Sequence, residues 1–177
     1  MALKPTIYKL KITLSDTDRN YYDTLNLTIA QHPSENDFRF MVRLVAFIAN
    51  ADEHLAFTRG LSTDDEPELW QKSLTDEIDL WIDLGQPDEK RIRKACGRSK
   101  QVIIYTDHEG RAAVWWQQQR EKLARFKNLK VVHITADGLE KMAKRNMTLQ
   151  CSIQDGEVYL SDDDVNQIIT LQDYAAE

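Results

Sequence analysis

The sequence predicts an α/β (α+β) fold, a mixed sheet flanked by helices with additional β-strands toward the N- and C-terminal ends. Three observations carry that prediction. Residues 78–84, Ile-Asp-Leu-Trp-Ile-Asp-Leu, alternate strictly and so place Ile78, Leu80, Ile82 and Leu84 on one face of a strand and Asp79, Trp81 and Asp83 on the other. Amphipathic helical stretches separate this segment from the short apolar runs at 102–104 and 129–134, the spacing of parallel strands joined by helices. Both outer parts of the chain carry alternating segments split by turn residues.

Taken in order, residues 6–14 and 23–30 read as an antiparallel pair around the polar turn 15–20, lying as a lid or edge outside any site. Pro33-Ser34 opens a helix in which Phe38, Met41, Val42, Val45, Ile48 and Ala49 recur at helical spacing, with Ser34 as N-cap and Glu35 in the first turn. Residues 56–61 follow, turning at Gly60, and then two acidic strands: Glu68 to Gln71 and Ile78 to Leu84 form a hairpin across the polar residues 72–77. Pro87-Asp88 begins a helix running to about Arg98, with Ile92, Ala95, Cys96 and Ser99 on one face. Residues 101–105 form a buried strand, parallel to a neighbour, and 111–126 a helix with Ala113, Trp116, Leu123 and Phe126 among its apolar positions. A strand at 129–134 comes next, and a hairpin at 147–153 and 157–160 turns on Asp155-Gly156. Asp162-Asp163-Asp164 lacks the ordered ligands and terminal Glu of a calcium loop and reads as a solvated acidic turn, after which the last residues fray.

A chain of 177 residues, 42% hydrophobic and 29% charged, is long enough to bury one sizeable core, and we expect a single domain over residues 1–177. No apolar run approaches the roughly 20 residues of a membrane helix, and the N-terminus lacks a signal-peptide pattern, so a cytoplasmic protein with no membrane partner is expected. Cys96 and Cys151 have no CxxC partner and read as reduced, buried thiols. A net charge of -6 argues against a surface devoted to nucleic acid. The charge is uneven, however: Lys90, Arg91, Arg93, Lys94, Arg98 and Lys100 follow the acidic strand, and Arg111, Arg120, Lys122, Arg125, Lys127 and Lys130 continue the basic run. Each of these also suits an ordinary solvated helix face. Trp115-Trp116 offers either a base-stacking platform or core packing of at least one ring.

Carboxylates converging at a strand pair are a way to hold Mg²⁺ against a phosphate, and Glu68 would meet Asp83 across the predicted hairpin. Asp79 shares the Asp83 face; it is either a further ligand or part of a solvated surface. His32, His54, His108 and His133 are scattered without HExxH spacing, and neither GxSxG nor a Gly-rich phosphate loop occurs, which excludes zinc-hydrolase, serine-hydrolase and P-loop chemistry of those types.

Pro67-Glu68 followed by Asp83-Leu84-Gly85 resembles the PD-(D/E)xK nuclease superfamily, with Gly85 standing where the triplet lysine belongs. A fuller resemblance, to the bacterial YaeQ family, runs through residues 1–9, Gln31-His32-Pro33-Ser34-Glu35, Phe57-Thr58-Arg59-Gly60-Leu61-Ser62, Gly85-Gln86-Pro87-Asp88-Glu89-Lys90-Arg91, Lys94-Ala95-Cys96 and Arg111-Ala112-Ala113. It continues in Trp115-Trp116-Gln117-Gln118, Met147-Thr148-Leu149-Gln150 and Ile153-Gln154-Asp155-Gly156. The resemblance implies a variant of the nuclease core with no settled activity. It also implies a site in which Glu68, Asp79 and Asp83 hold Mg²⁺, Glu35 reaches in from the first helix, and Arg91 or Lys94 replaces the absent lysine with Gln86 assisting at phosphate. Helical geometry favours Arg91 as the residue beside the packed face. Two functions follow: a Mg²⁺-dependent phosphodiesterase acting on DNA or RNA, or a nuclease-like fold that has lost cleavage and binds a nucleic acid or a protein partner.

Overall fold

The computed structural model describes residues 4–58 and 65–174 of the chain, a mixed α+β fold that divides into two compact units. The expected turn at Gly60 lies outside the described residues. One unit is discontinuous, built from residues 1–49 and 135–171; the other takes residues 50–134 together with 172–177.

In the discontinuous unit, β1 (Thr6–Asp16) pairs antiparallel with β2 (Tyr21–Gln31) and parallel with β8 (Asn146–Gln154), which pairs antiparallel with β9 (Glu157–Ser161), itself antiparallel to β10 (Asn166–Asp173). The strand order is β2-β1-β8-β9-β10. Thus, of the N-terminal pair that the sequence reading set as a lid or edge outside any site, β2 lies at an edge of the sheet and β1 is interior. Alternation explains the sidedness: Tyr8, Leu10, Ile12 and Leu14 of β1 and Met147, Leu149, Cys151 and Ile153 of β8 are buried, while Lys9, Lys11, Thr13, Thr148 and Gln150 between them are exposed. Each large buried aliphatic or aromatic side chain here stabilises the fold by about 1.5–3 kcal/mol. The β8–β9 turn takes positive φ at both Asp155 (54°) and Gly156 (76°), the conformation of a two-residue hairpin with a right-handed twist. Asp18 clasps this turn, its carboxylate accepting from the N–H of Asp155 at 2.8 Å and of Gly156 at 2.9 Å.

Helix α1 (Asp37–Ala49) starts later than expected. Asn36, not Ser34, caps it, its side chain accepting from the Arg39 N–H at 2.8 Å; Ser34 instead contacts the His32 ring at 2.6 Å. Every residue from Phe40 to Ile48 is buried, and the Phe40 ring packs 4.4 Å from Tyr8. A 3-10 turn (Leu139–Met142) packs against α1 with Leu139 and Met142 buried. Strand β10 is the element the sequence reading missed, having expected fraying after the acidic triplet.

The second unit contains β3 (Leu55–Phe57), β4 (Leu69–Lys72), β5 (Ile78–Leu84), α2 (Glu89–Arg98), β6 (Ser99–Thr106), α3 (Glu109–Leu123) and β7 (Leu129–Thr135). Its strand order is β7-β6-β5-β4-β3, parallel across β5, β6 and β7 and antiparallel across β3, β4 and β5. The acidic hairpin is therefore present as β4–β5, with Trp70 opposite Trp81. Both helices pack on one core with Ile78, Trp81, Ile92, Ala95, Val102, Ile104, Trp115, Leu123 and Val131. Ser99, assigned by spacing to the helix, begins β6, and Ala112 rather than Ala113 is the buried alanine of α3. Asn128 ties the end of α2 to β6 by donating from Nδ2 to the carbonyls of Cys96 and Ser99, both at 3.0 Å.

Candidate functional site

Alternation along β5 turns Trp81 and Asp83 into the protein, where both are buried. Helix α2 follows after Gly85, Gln86 and Pro87, capped by Asp88, whose carboxylate accepts from the Arg91 N–H at 2.8 Å. That cap fixes the first turn and sends the Arg91 side chain back over the end of β5. Arg91 meets Asp83 with a two-pronged fork, Nε to Oδ2 at 2.9 Å and Nη2 to Oδ1 at 3.0 Å. The Trp81 indole adds a third bond, donating from Nε1 to Asp83 Oδ2 at 3.0 Å, and the Arg91 Nη2 also donates to the Glu66 carbonyl at 3.0 Å. The guanidinium carbons of Arg91 and Arg98 lie 5.9 and 5.3 Å from the Trp81 ring, within reach of its π-face.

Glu68 sits one step beyond the β4–β5 ladder, which ends with Leu69 opposite Ile82, and it is buried. Its N–H donates to the Ile82 carbonyl at 3.0 Å and its own carbonyl accepts from Thr58 N–H at 3.2 Å, so Glu68 adjoins Asp83 in the neighbouring strand. Next to it, Glu66 Oε2 is enclosed without a hydrogen-bond partner among the described residues. The structure thus brings Glu68, Asp83 and Arg91 into one neighbourhood.

It does not bring the other predicted residues there. Asp79 lies four residues back along β5, about 13 Å from Asp83 at strand spacing, and is paired with Lys100 at 3.1 Å. That pairing, reinforced by Glu77, raises the Lys100 pKa. Lys94 is exposed and paired with Asp65 at 2.9 Å, which lowers the Asp65 pKa. Glu35 precedes α1 rather than lying in its first turn, and its two oxygens are taken by Arg39 at 2.7 Å and Arg43 at 2.8 Å within its own unit. Gln86 lines an open cleft with Gly110, Arg111, Val114, Trp115 and Gln118.

Gly85 sits where the backbone favours glycine over lysine. Its φ is +90° and its N–H donates to the Tyr105 carbonyl at 2.8 Å, so the strand leaves β5 through a backbone conformation that an L-residue adopts only under strain. The cation beside Asp83 arrives from α2 instead. Sequence reasoning kept both Arg91 and Lys94 open, with helical geometry favouring Arg91, and missed Trp81 as a hydrogen-bond donor; an indole two residues from an inward carboxylate on the same strand face was the available signal.

Neither ring of Trp115-Trp116 is a free platform. Trp115 is buried and donates to the Pro87 carbonyl at 2.8 Å, and Trp116 stacks on Tyr174 at 5.7 Å. Tyr174 stacks in turn on His133 at 5.3 Å. Beside them a cavity of about 390 Å³ is lined by Trp116, Arg120, Phe126, Lys127 and Tyr174 among others.

Both Asp83 oxygens are already bonded, and among the described residues no group of three or more His, Cys, Asp or Glu is placed to hold a metal ion. Among the described residues, no helix is long and apolar enough to cross a membrane.

The family model described as YaeQ protein matches residues 1–171. The chain is 48% identical over 174 residues to the uncharacterized protein YaeQ of Escherichia coli (strain K12), covering 97% of this chain and 96% of that one. It is 50% identical over 166 residues to the uncharacterized YaeQ of Salmonella typhi, covering 92% and 91%. The crystal structure of the YaeQ protein from Xanthomonas axonopodis pv. citri superposes with a TM-score of 0.93 at 42% identity, covering 98% of this chain and 99% of that one. That of the Pseudomonas syringae YaeQ protein gives 0.90 at 35%, covering 98% and 97%. With a sequence match over nearly its whole length and the same backbone, the chain belongs to the YaeQ family.

Proposed function

We propose that this protein is a nuclease-like fold whose acidic site is closed, and that it binds nucleic acid through the basic side carrying α2 and α3 without cleaving it. One observation carries the reading: Asp83, which stands where the acid of a PD-(D/E)xK triplet belongs, spends both oxygens on Arg91 and Trp81. A carboxylate bonded three times over is an anchor for an arginine, and of its roughly four lone-pair sites it keeps only one, on Oδ1, for a hard cation. The charge distribution supports the binding half. Residues 90–130 hold twelve Lys and Arg against three Asp and Glu in a chain whose net charge is -6. Of these, Lys90, Arg93, Lys94, Arg98, Arg111, Arg120, Lys122 and Arg125 are exposed on the two helices or at their ends.

Mg²⁺-dependent phosphodiester cleavage is the second reading. The adjacency of Glu68 and Asp83, with Arg91 in place of the triplet lysine, favours it, and it leaves a metal ion the Asp83 Oδ1 site that Arg91 does not use, unless Asp83 leaves the Arg91 fork.

Fluorescence anisotropy on labelled single- and double-stranded DNA and RNA, run beside a cleavage assay in Mg²⁺ or Mn²⁺, separates the two. The proposal expects salt-sensitive binding, weakened at least about tenfold in Lys90→Glu/Arg93→Glu, with every substrate intact. Metal-dependent cleavage lost in Glu68→Ala and Asp83→Ala would establish the enzyme. Absence of any nucleic-acid binding would overturn the proposal and point to a protein partner.

A further inference from the structure

The outer side of edge strand β2 is self-complementary in sequence. Its inner side is fully used by β1, with eleven residues in register from Gln31 opposite Thr6 to Tyr21 opposite Asp16. At its outer side, among the described residues, no strand follows in the sheet order.

The orientation of its backbone groups follows from the neighbouring strands. Lys9 donates its N–H to the Arg145 carbonyl at 2.9 Å and Thr17 to that of Ile153 at 2.9 Å, so the odd-numbered residues of β1 turn toward β8 and the even-numbered ones toward β2. Since Leu10 lies opposite Leu27 and Ile12 opposite Leu25, the odd-numbered residues of β2 face β1. The N–H and C=O groups of Tyr22, Thr24, Asn26, Thr28 and Ala30 therefore point outward. Arg43 confirms the parity by reaching the Ala30 carbonyl at 2.8 Å, which closes one end of the edge; Asp23 accepts from the Thr24 N–H at 2.8 Å and would swing aside on pairing.

Between those ends the sequence reads Thr24-Leu25-Asn26-Leu27-Thr28, the same in both directions. An antiparallel partner related by a two-fold axis through Asn26 meets an identical string: Asn26 faces Asn26, Leu25 faces Leu27 and Thr24 faces Thr28. The outward parity makes each of the Asn26 and Thr24–Thr28 positions a hydrogen-bonded pair. On one face the half-buried Leu25 and Leu27 gain apolar partners across the axis; on the other, exposed threonines meet threonines. The edge also lacks the devices that keep edges apart. From Tyr21 to Gln31 there is no proline and no lysine, and the single charge, Asp23, falls opposite Ile29 of the partner rather than another acid.

We propose that two copies of this chain associate through β2, antiparallel and centred on Asn26, to continue the sheet across a two-fold axis. Sedimentation of the full chain from low micromolar to near-millimolar concentration should show a monomer–dimer equilibrium. Asn26→Pro removes an N–H that β1 does not use and suits an edge position, so it should leave the fold intact by circular dichroism and raise the dimer dissociation constant by at least about tenfold. Asn26→Cys should form a disulfide-linked dimer on mild oxidation, because the axis sets the two residues about 5.5 Å apart at Cα and the native thiols are buried or half-buried. A wild-type chain that stays monomeric throughout overturns the proposal. So does a dimer unaffected by Asn26→Pro, or one that Asn26→Cys fails to cross-link.

Discussion

Arg91 holds Asp83 by both carboxylate oxygens, at 2.9 and 3.0 Å, from a helix that begins only two residues before it. Asp83 is almost wholly buried while Arg91 keeps a solvent-facing edge, so the aspartate depends on the arginine more than the reverse. Arg91→Ala leaves a buried carboxylate with the Trp81 N–H as its remaining partner among those described above, and should cost about 3 kcal/mol in urea unfolding. Arg91→Lys should recover only part of this, since an ammonium cannot make the fork.

Restoring the triplet lysine should fail. Gly85→Lys has open space for a Cβ, nothing lying within 4 Å, but must hold φ at +90°. We expect a loss of about 1–2 kcal/mol in the same unfolding experiment and no gain of metal-dependent cleavage.

The two thiols set a limit on alkaline stability. Burial pushes Cys96 up to about 11 and Cys151 up to about 12, the latter also facing the negative charge of Asp16, from an ordinary value of 9.0. Above pH 9.0 the unfolded chain gives up these protons while the folded chain keeps them, so the folded state binds more protons and loses stability as pH rises toward 11–12. Below pH 9.0 the thiols add no slope. Urea midpoints at pH 8 and about 10.5 should diverge less in a Cys96→Ala/Cys151→Ala chain than in wild type, and a thiol reagent at pH 8 should react slowly until denaturant is added.

Asn128 closes the α2–β6 junction from outside both elements. Asn128→Ala strands the Cys96 and Ser99 carbonyls and should cost about 1–2 kcal/mol. Asn128→Asp, which cannot donate, should cost at least as much, whereas a loss confined to side-chain packing would spare it.

Patterns confined to neighbouring residues were legible in the sequence. The alternation of β5, the Asp155-Gly156 turn, the helix start at Pro87-Asp88 and the placement of Arg91 beside the packed face all follow from spacing within one or two turns of chain. Helix α1 was misplaced at its start because Ser34 and Asn36 are both good caps, and the contact of Ser34 with His32 decides between them. The partners of Glu35 were hidden because Arg43 lies beyond its first helical neighbours, and Lys100 claims Asp79 only once β5 and β6 run parallel. Strand β10 carries little apolar signal, with Ile169 its one fully buried residue, and it is long-range pairing, to β9 over Asn166–Thr170, that marks it as a strand.

The interior position of β1 has a consequence for synthesis. Its parallel partner begins at Asn146, opposite Lys9, so β1 waits for a strand made well over a hundred residues later. The segment from 50 to 134 is complete before that partner exists. Vectorial production therefore lets residues 50–134 form their strands and helices before β8 is made, with Tyr174 joining them late and the β1–β2 hairpin left without its parallel partner until residues 146–154 are added.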